Sequence, residues 1–221
     1  MTVFLTHNKM KLAFHTLRGA EGPALLLLHG LGDHSPKTVP LDLADWPGSV
    51  YAVDFTGHGE STMPGGGGYT AELLMGDADV ALGMLGRATL LGRGLGGYVA
   101  LLLAGARPES VRGAIIADGH GMAGGGDRPG PTVVRGVPER DTTPDPFALV
   151  ELAADLRPAE YAAKFAALAL EGSGLERPVT VAARSRPDWL KAVVGERGVA
   201  EATLAEALRY YAAVANEGQE R

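Results

Sequence analysis

Gly92-Arg93-Gly94-Leu95-Gly96 has the spacing with which a sharp bend between a strand and a helix presents a catalytic hydroxyl. The pattern is Gly-x-Ser-x-Gly, the nucleophile elbow, and its outer glycines let strand and helix approach closely. Thr89-Leu90-Leu91 reads as the end of the strand, and Tyr98 to Ala104 as the body of the helix. At the centre, where serine would attack a carbonyl carbon, stands Gly94, which has no side chain to do so. A glycine-rich turn of this kind also serves dinucleotide binding when an acidic residue follows about 20 residues on. Asp118, in the next strand candidate, keeps that reading open.

The other residues able to move protons are six histidines, His7, His15, His29, His34, His58 and His120, and the carboxylates near them. Asp33 and His34 follow one apolar run, and Asp118 and His120 another. Open α/β sheets bind ligands at the carboxyl ends of their strands, where both pairs fall. Converging there, the four would form an acid–base site for elimination, proton transfer or hydration, with His120 the residue of choice and Asp118 its partner. The same donors suit zinc or manganese. The plainer readings are that His34 points to solvent and that Asp118 fixes its own turn. Arg93 is placed to hold an anionic ligand near the bend, or else makes a surface salt bridge.

The elements that must position these residues alternate. Val3 to Thr6 and Lys11 to Leu17 read as a hairpin of edge strands. Ala24 to Leu28, Val50 to Asp54 and Val111 to Asp118 are apolar runs of buried parallel strands. Thr70 is an N-cap for a helix running to Gly86, with Leu73, Leu74, Ala78, Ala81, Leu82 and Leu85 on one face. Helices are expected over residues 145–155, 158–171 and 202–217, and a strand within 177–184. Gly119 to Pro131 is too rich in Gly and Pro for regular structure.

Three motifs in order, His29-Gly30-Leu31-Gly32, then Asp54-Phe55-Thr56-Gly57-His58-Gly59-Glu60-Ser61, then the bend, resemble the α/β-hydrolase superfamily. The resemblance covers residues 3–119. It implies an α/β fold, a mostly parallel sheet with helices on both faces and a short helical cap. The core would be residues 1–119 and 178–221, and the cap residues 120–177. It also implies that the backbone N–H groups of Leu31 and Leu95 are the oxyanion donors, which need no serine side chain. Gly30, His29, Arg93 and His34 complete the expected ligand-binding set, with His29 read alternatively as a structural bridge between loops. His58 and Ser61 belong to a loop-fixing motif in such proteins. Many members place a catalytic acid after the strand near 180, which singles out Asp188, although Pro187-Asp188-Trp189 also reads as a helix start. Members carry their catalytic histidine before the last helix, and no histidine follows His120 here. Nucleophile and base are therefore both missing from their places.

Composition narrows the partners. A 221-residue chain is one domain with a sizeable core, and a net charge of −6 argues against nucleic acid or an anionic membrane. No apolar run approaches the roughly 18 residues of a membrane span. The amino-terminal residues do not read as a signal peptide, and the absence of cysteine fits a cytoplasmic setting. No cofactor is implied, a small molecule is the expected partner, and the oligomeric state is not legible. Three readings follow. The chain is a non-catalytic binder of a small acyl-like or apolar ligand, or of a partner, in the old pocket, with extra room above Gly94. Or it is an active hydrolase or lyase working from the Asp33/His34 and Asp118/His120 loops. Or it is an esterase whose serine has been lost at Gly94.

Overall fold

In the computed structural model, which describes residues 1–128 and 142–217, eight strands form one sheet in the order β1-β2-β4-β3-β5-β6-β7-β8. Strands β1 (Thr2–His7) and β2 (Met10–Arg18) are the expected hairpin, antiparallel to each other, and β2 is antiparallel to β4 (Val50–Val53). From β4 onward, through β3 (Leu25–Leu28), β5 (Ala88–Arg93), β6 (Val111–Ala117), β7 (Val179–Val181) and β8 (Val199–Glu201), all pairings are parallel. Every residue of β3 is buried, because neighbours flank it on both edges and side chains cover both faces. The short run Val199–Glu201 pairs in register with the equally short β7 through Val179↔Val199 and closes that edge of the sheet.

Alternation along the strands sorts the core into two layers. Leu26, Leu28, Leu90, Ala114, Ile116 and Val181 face the layer of α1 (Ala71–Leu85), α2 (Leu95–Ala106), α4 (Ala159–Ser173) and α5 (Asp188–Val194). Leu25, Leu27, Leu91, Ile115 and Ala117 face the opposite way, onto Leu43, Trp46 and the Ala207, Leu208 and Tyr211 face of α6 (Leu204–Glu217). On this second face α6 is the only α-helix among the described residues. Residues 29–49 cross the rest with no more than a single 3-10 turn, Leu41–Leu43.

Helix boundaries follow local chemistry. The Thr70 hydroxyl caps α1 by accepting from Leu73 N–H at 3.2 Å, and Gly86 closes it at φ 73°. Asp145 caps α3 (Pro146–Ala154) by accepting from Phe147 N–H, with Pro146 in the first turn. Helix α2 is buried from Leu95 through Gly105, as a helix apolar on every side must be. Of the segment expected as a cap, residues 129–141 lie outside the described residues. The two helices of that segment part ways. Helix α4 lies in the helical layer, burying Ala162, Ala166 and Ala169 where Gly105 of α2 meets Phe165. Helix α3 instead reaches the loops at the carboxyl ends of β3 and β4, with Leu149 beside Gly32 and Asp145 N–H donating to Gly57 O at 2.7 Å.

Candidate functional site

Strand β5 passes into α2 through Gly94 alone, at φ 57° and ψ −117°, a conformation that strains any residue with a Cβ. The approach is close enough that a Cβ on Gly96 would run into the Leu28 carbonyl. The two donors expected of Leu31 and Leu95 do converge beside this bend. Both are occupied: the His120 carbonyl oxygen accepts from Leu95 N–H at 2.9 Å and from Leu31 N–H at 3.1 Å. The same oxygen fills the space a side chain at position 94 would need, since a Cβ on Gly94 would overlap it and the adjoining Gly119 carbonyl carbon. The expectation of extra room above Gly94, next to free donors, is therefore corrected. The backbone of the loop after β6 occupies that room, which only a glycine at 94 permits.

That loop is held from several sides. Gly94 N–H donates to Ala117 O at 3.0 Å. The Asp118 carboxylate accepts from Arg184 N–H and Ser185 N–H, each at 2.9 Å, tying the end of β6 to the end of β7. Burial alone would raise the Asp118 pKa, but these two donors and the Arg184 guanidinium at 3.7 Å outweigh it and hold the carboxyl below its ordinary value. Further on, the Trp189 indole N–H donates to Met122 O at 2.8 Å, and the buried Arg157 guanidinium donates to the carbonyls of Gly121 and Met122. Burial lowers the Arg157 pKa to about 10.

Asp118 and His120 thus do not face each other. The His120 ring pairs with Asp33, Nδ1 to Oδ1 at 2.9 Å, with the His120 side chain 76% exposed. His34 is exposed and donates Nδ1–H to its neighbour Ser35 O at 2.8 Å. The His34, His120, Asp33 and Asp118 set does not close on one point, and among the described residues no group of three or more His, Asp or Glu is placed to hold a metal ion. Asp188 opens α5 on the surface and pairs with Lys191 at 2.8 Å, as a helix start does.

His29 is a bridge between loops. Its Nε2 accepts from Phe55 N–H at 3.0 Å, so the ring proton sits on Nδ1 and goes to Gly30 O at 2.8 Å. Burial and the neighbouring His58 lower its pKa to about 4, and the ring is neutral. His58, also buried with its pKa lowered by burial, gives Nδ1–H to Thr56 O. Ser61 donates to Asp54 O and accepts from Ala13 N–H, binding the same loop to β2.

The open space lies on the other side of the bend, where cover of the second sheet face is thin. A cavity of about 460 Å³ opens at the carboxyl ends of β3 and β5. Leu27, Leu28, Leu43, Leu91, Pro36 and Pro40 give it an apolar wall, and His29, Gly30, Asp33, His34 and Arg93 give it polar groups. Arg93 also makes an exposed ion pair with Asp42 at 2.5 Å. Five of the residues singled out from sequence, His29, Gly30, Asp33, His34 and Arg93, line this cavity, whereas Leu31 and Leu95 serve the filled donor pair. Sequence reasoning missed the aliphatic wall, which looks like ordinary core. It also missed the His120 carbonyl, because a main-chain group has no signature in residue type; the glycines on either side of His120 were its one trace.

A doubly covered, mostly parallel sheet with its polar loops at the strand carboxyl ends defines an α/β protein of the hydrolase architecture. The sequence profile of the alpha/beta hydrolase family matches residues 25–218, and the chain belongs to that family. An uncharacterized protein of Mycobacterium tuberculosis is 34% identical over 122 residues, and a serine hydrolase-like protein of Danio rerio 32% over 125. Each match spans about half of this chain and 36% and 38% of those proteins, so the chain corresponds to little more than a third of their length. Among solved structures, N-formylmaleamic acid deformylase from Pseudomonas putida superposes with a TM-score of 0.66 at 14% identity, covering 92% of both chains. A thioesterase domain from the curacin biosynthetic pathway gives 0.60 at 16%, covering 98% of both. At these identities the likeness is one of fold. No helix among the described residues is long and apolar enough to cross a membrane.

Proposed function

We propose that this chain is a non-catalytic α/β-hydrolase-fold protein that binds a small acyl-like or apolar ligand, and that the ligand sits in the cavity at the ends of β3 and β5. One observation carries the reading: the His120 carbonyl occupies both the nucleophile space above Gly94 and the Leu31 and Leu95 donors. A covalent acyl mechanism needs a hydroxyl or thiol at the bend and free donors for the developing charge, and neither is on offer. The cavity has the volume, apolar wall and few polar groups of a small-molecule site. The likeness to a serine hydrolase-like protein fits a scaffold that once carried the chemistry. The proposed partner is a small molecule in the cytoplasm, and a net charge of −6 argues against nucleic acid or an anionic membrane in its place. The core would be residues 1–119 and 178–221, with the intervening segment as the insertion.

The test is incubation with a fluorophosphonate probe and with p-nitrophenyl acetate. No labelling of residues 89–97 and no burst of p-nitrophenol are expected; stoichiometric labelling there would overturn the reading. The second reading, an acid–base enzyme, is favoured by the His120–Asp33 contact, because Asp33 lines the cavity and pairs with an exposed imidazole. If turnover of any ester or hydroxy acid is found, it should vanish in His120→Ala and survive in Asp118→Asn.

A further inference from the structure

The cavity's polar rim is not symmetrical in charge. Asp33 is engaged by His120, and His34 and His29 each spend Nδ1–H on a backbone carbonyl. The permanent cation is Arg93, the last residue of β5, whose guanidinium is 41% exposed. Its ion pair uses one nitrogen, Nη2, against Oδ2 of Asp42. A guanidinium carries five N–H donors in a planar fork that matches a carboxylate with two parallel bonds. Asp42 is 47% exposed and belongs to the 3-10 turn Leu41–Leu43, and on either side of it Pro40 and Leu43 line the cavity. An ion pair between two side chains this exposed contributes little, so one carboxylate can replace another on Arg93 at small cost. A ligand lying on Leu27, Leu43 and Leu91 would bring its polar end to that point.

We infer that the ligand is a monocarboxylate with an aliphatic or aromatic body, its carboxylate taking the place of Asp42 on the fork of Arg93. The inference rests on the cavity reading above and adds the ligand's charge to it. Butyrate, octanoate and phenylacetate are the probes, each matched with its neutral alcohol, butanol, octanol or 2-phenylethanol, and followed by calorimetric titration and thermal melts. At least one acid should bind saturably and more tightly than its alcohol. Arg93→Gln should weaken that acid about tenfold or more while leaving alcohol binding unchanged. Asp42→Asn removes the competing carboxylate and should tighten the acid several-fold, whereas a residue that merely supports Arg93 would weaken it when lost. Alcohols binding as tightly as the acids, an unaffected Arg93→Gln, or weaker acid binding in Asp42→Asn would each overturn the carboxylate assignment and leave the cavity reading standing. If none of the acids and none of the alcohols binds, the carboxylate assignment and the cavity reading fall together.

Discussion

At the scale of single residues, Gly94 answers two demands at once. Its dihedral angles lie where a Cβ is strained, and its missing side chain leaves the volume taken by the His120 carbonyl. Strain at such a residue and overpacking against backbone each cost on the order of 1–3 kcal/mol. Gly94→Ser and Gly94→Ala should therefore both lower stability by about 2 kcal/mol or more, a fall of several degrees in Tm for a chain of this size. Thermal melts of the two variants check this, and a serine variant as stable as the parent would mean that the carbonyl is not seated there. The serine variant should also remain a poor esterase, because no histidine follows His120 in the sequence and the His120 ring is paired with Asp33. A large gain in p-nitrophenyl acetate turnover would show that an imidazole does take the hydroxyl proton.

At the scale of elements, the loop after β6 behaves as part of the framework. Asp118 fastens it to the loop after β7, and Arg157 and Trp189 hold the residues beyond His120. The protection of the Leu31 and Leu95 amides depends on this fastening, since their acceptor is the His120 carbonyl. In Asp118→Ala, hydrogen exchange at these two amides should speed up well beyond any change in the body of α1. Equal rates in variant and parent would show that the loop is held without Asp118. How much of these elements was legible beforehand follows their local chemistry. The hairpin, the Thr70 cap, the helix expected over residues 145–155 and the last helix were readable because period, caps and breakers agree over many residues. The last strand, three residues long, was barely readable, because a run that short has no period of its own and exists only beside β7.

At the scale of the whole molecule, buried histidines set the acid limit of stability. His29 is neutral in the fold with a pKa of about 4 against an ordinary value near 6.5, and His58 is shifted the same way by burial. Between those values the unfolded chain binds more protons than the folded one, so stability rises with pH across the window and is lost as pH falls through it. His29 alone would account for about 2 kcal/mol lost by pH 5 relative to neutral pH. Asp54 adds a later loss. Burial pushes its pKa up, but the N–H groups of Glu60 and Ser35 hold it below its ordinary value, so its contribution goes at still lower pH. Asp77 and Asp155, raised by burial, act in the opposite sense in the carboxylate range. Urea unfolding at pH 7.5 and pH 5 should show the loss, and His29→Asn should flatten it; a stability independent of pH between these values would count against the neutral, buried ring.

The sequence by itself determined the order of the strands and helices apart from the last strand, the bend at Gly92 to Gly96, the glycine at position 94, and the absence of a histidine after His120. These are matters of residue type and periodicity, which act locally. Only the tertiary structure decided that the Leu31 and Leu95 donors meet the His120 carbonyl, that His120 pairs with Asp33 and Asp118 with the β7 loop, and that the open cavity lies beside Arg93. Each of these joins groups from segments far apart in the chain. The first is made by backbone atoms common to every residue, and the last by space left where residues 29–49 form no helix over the sheet.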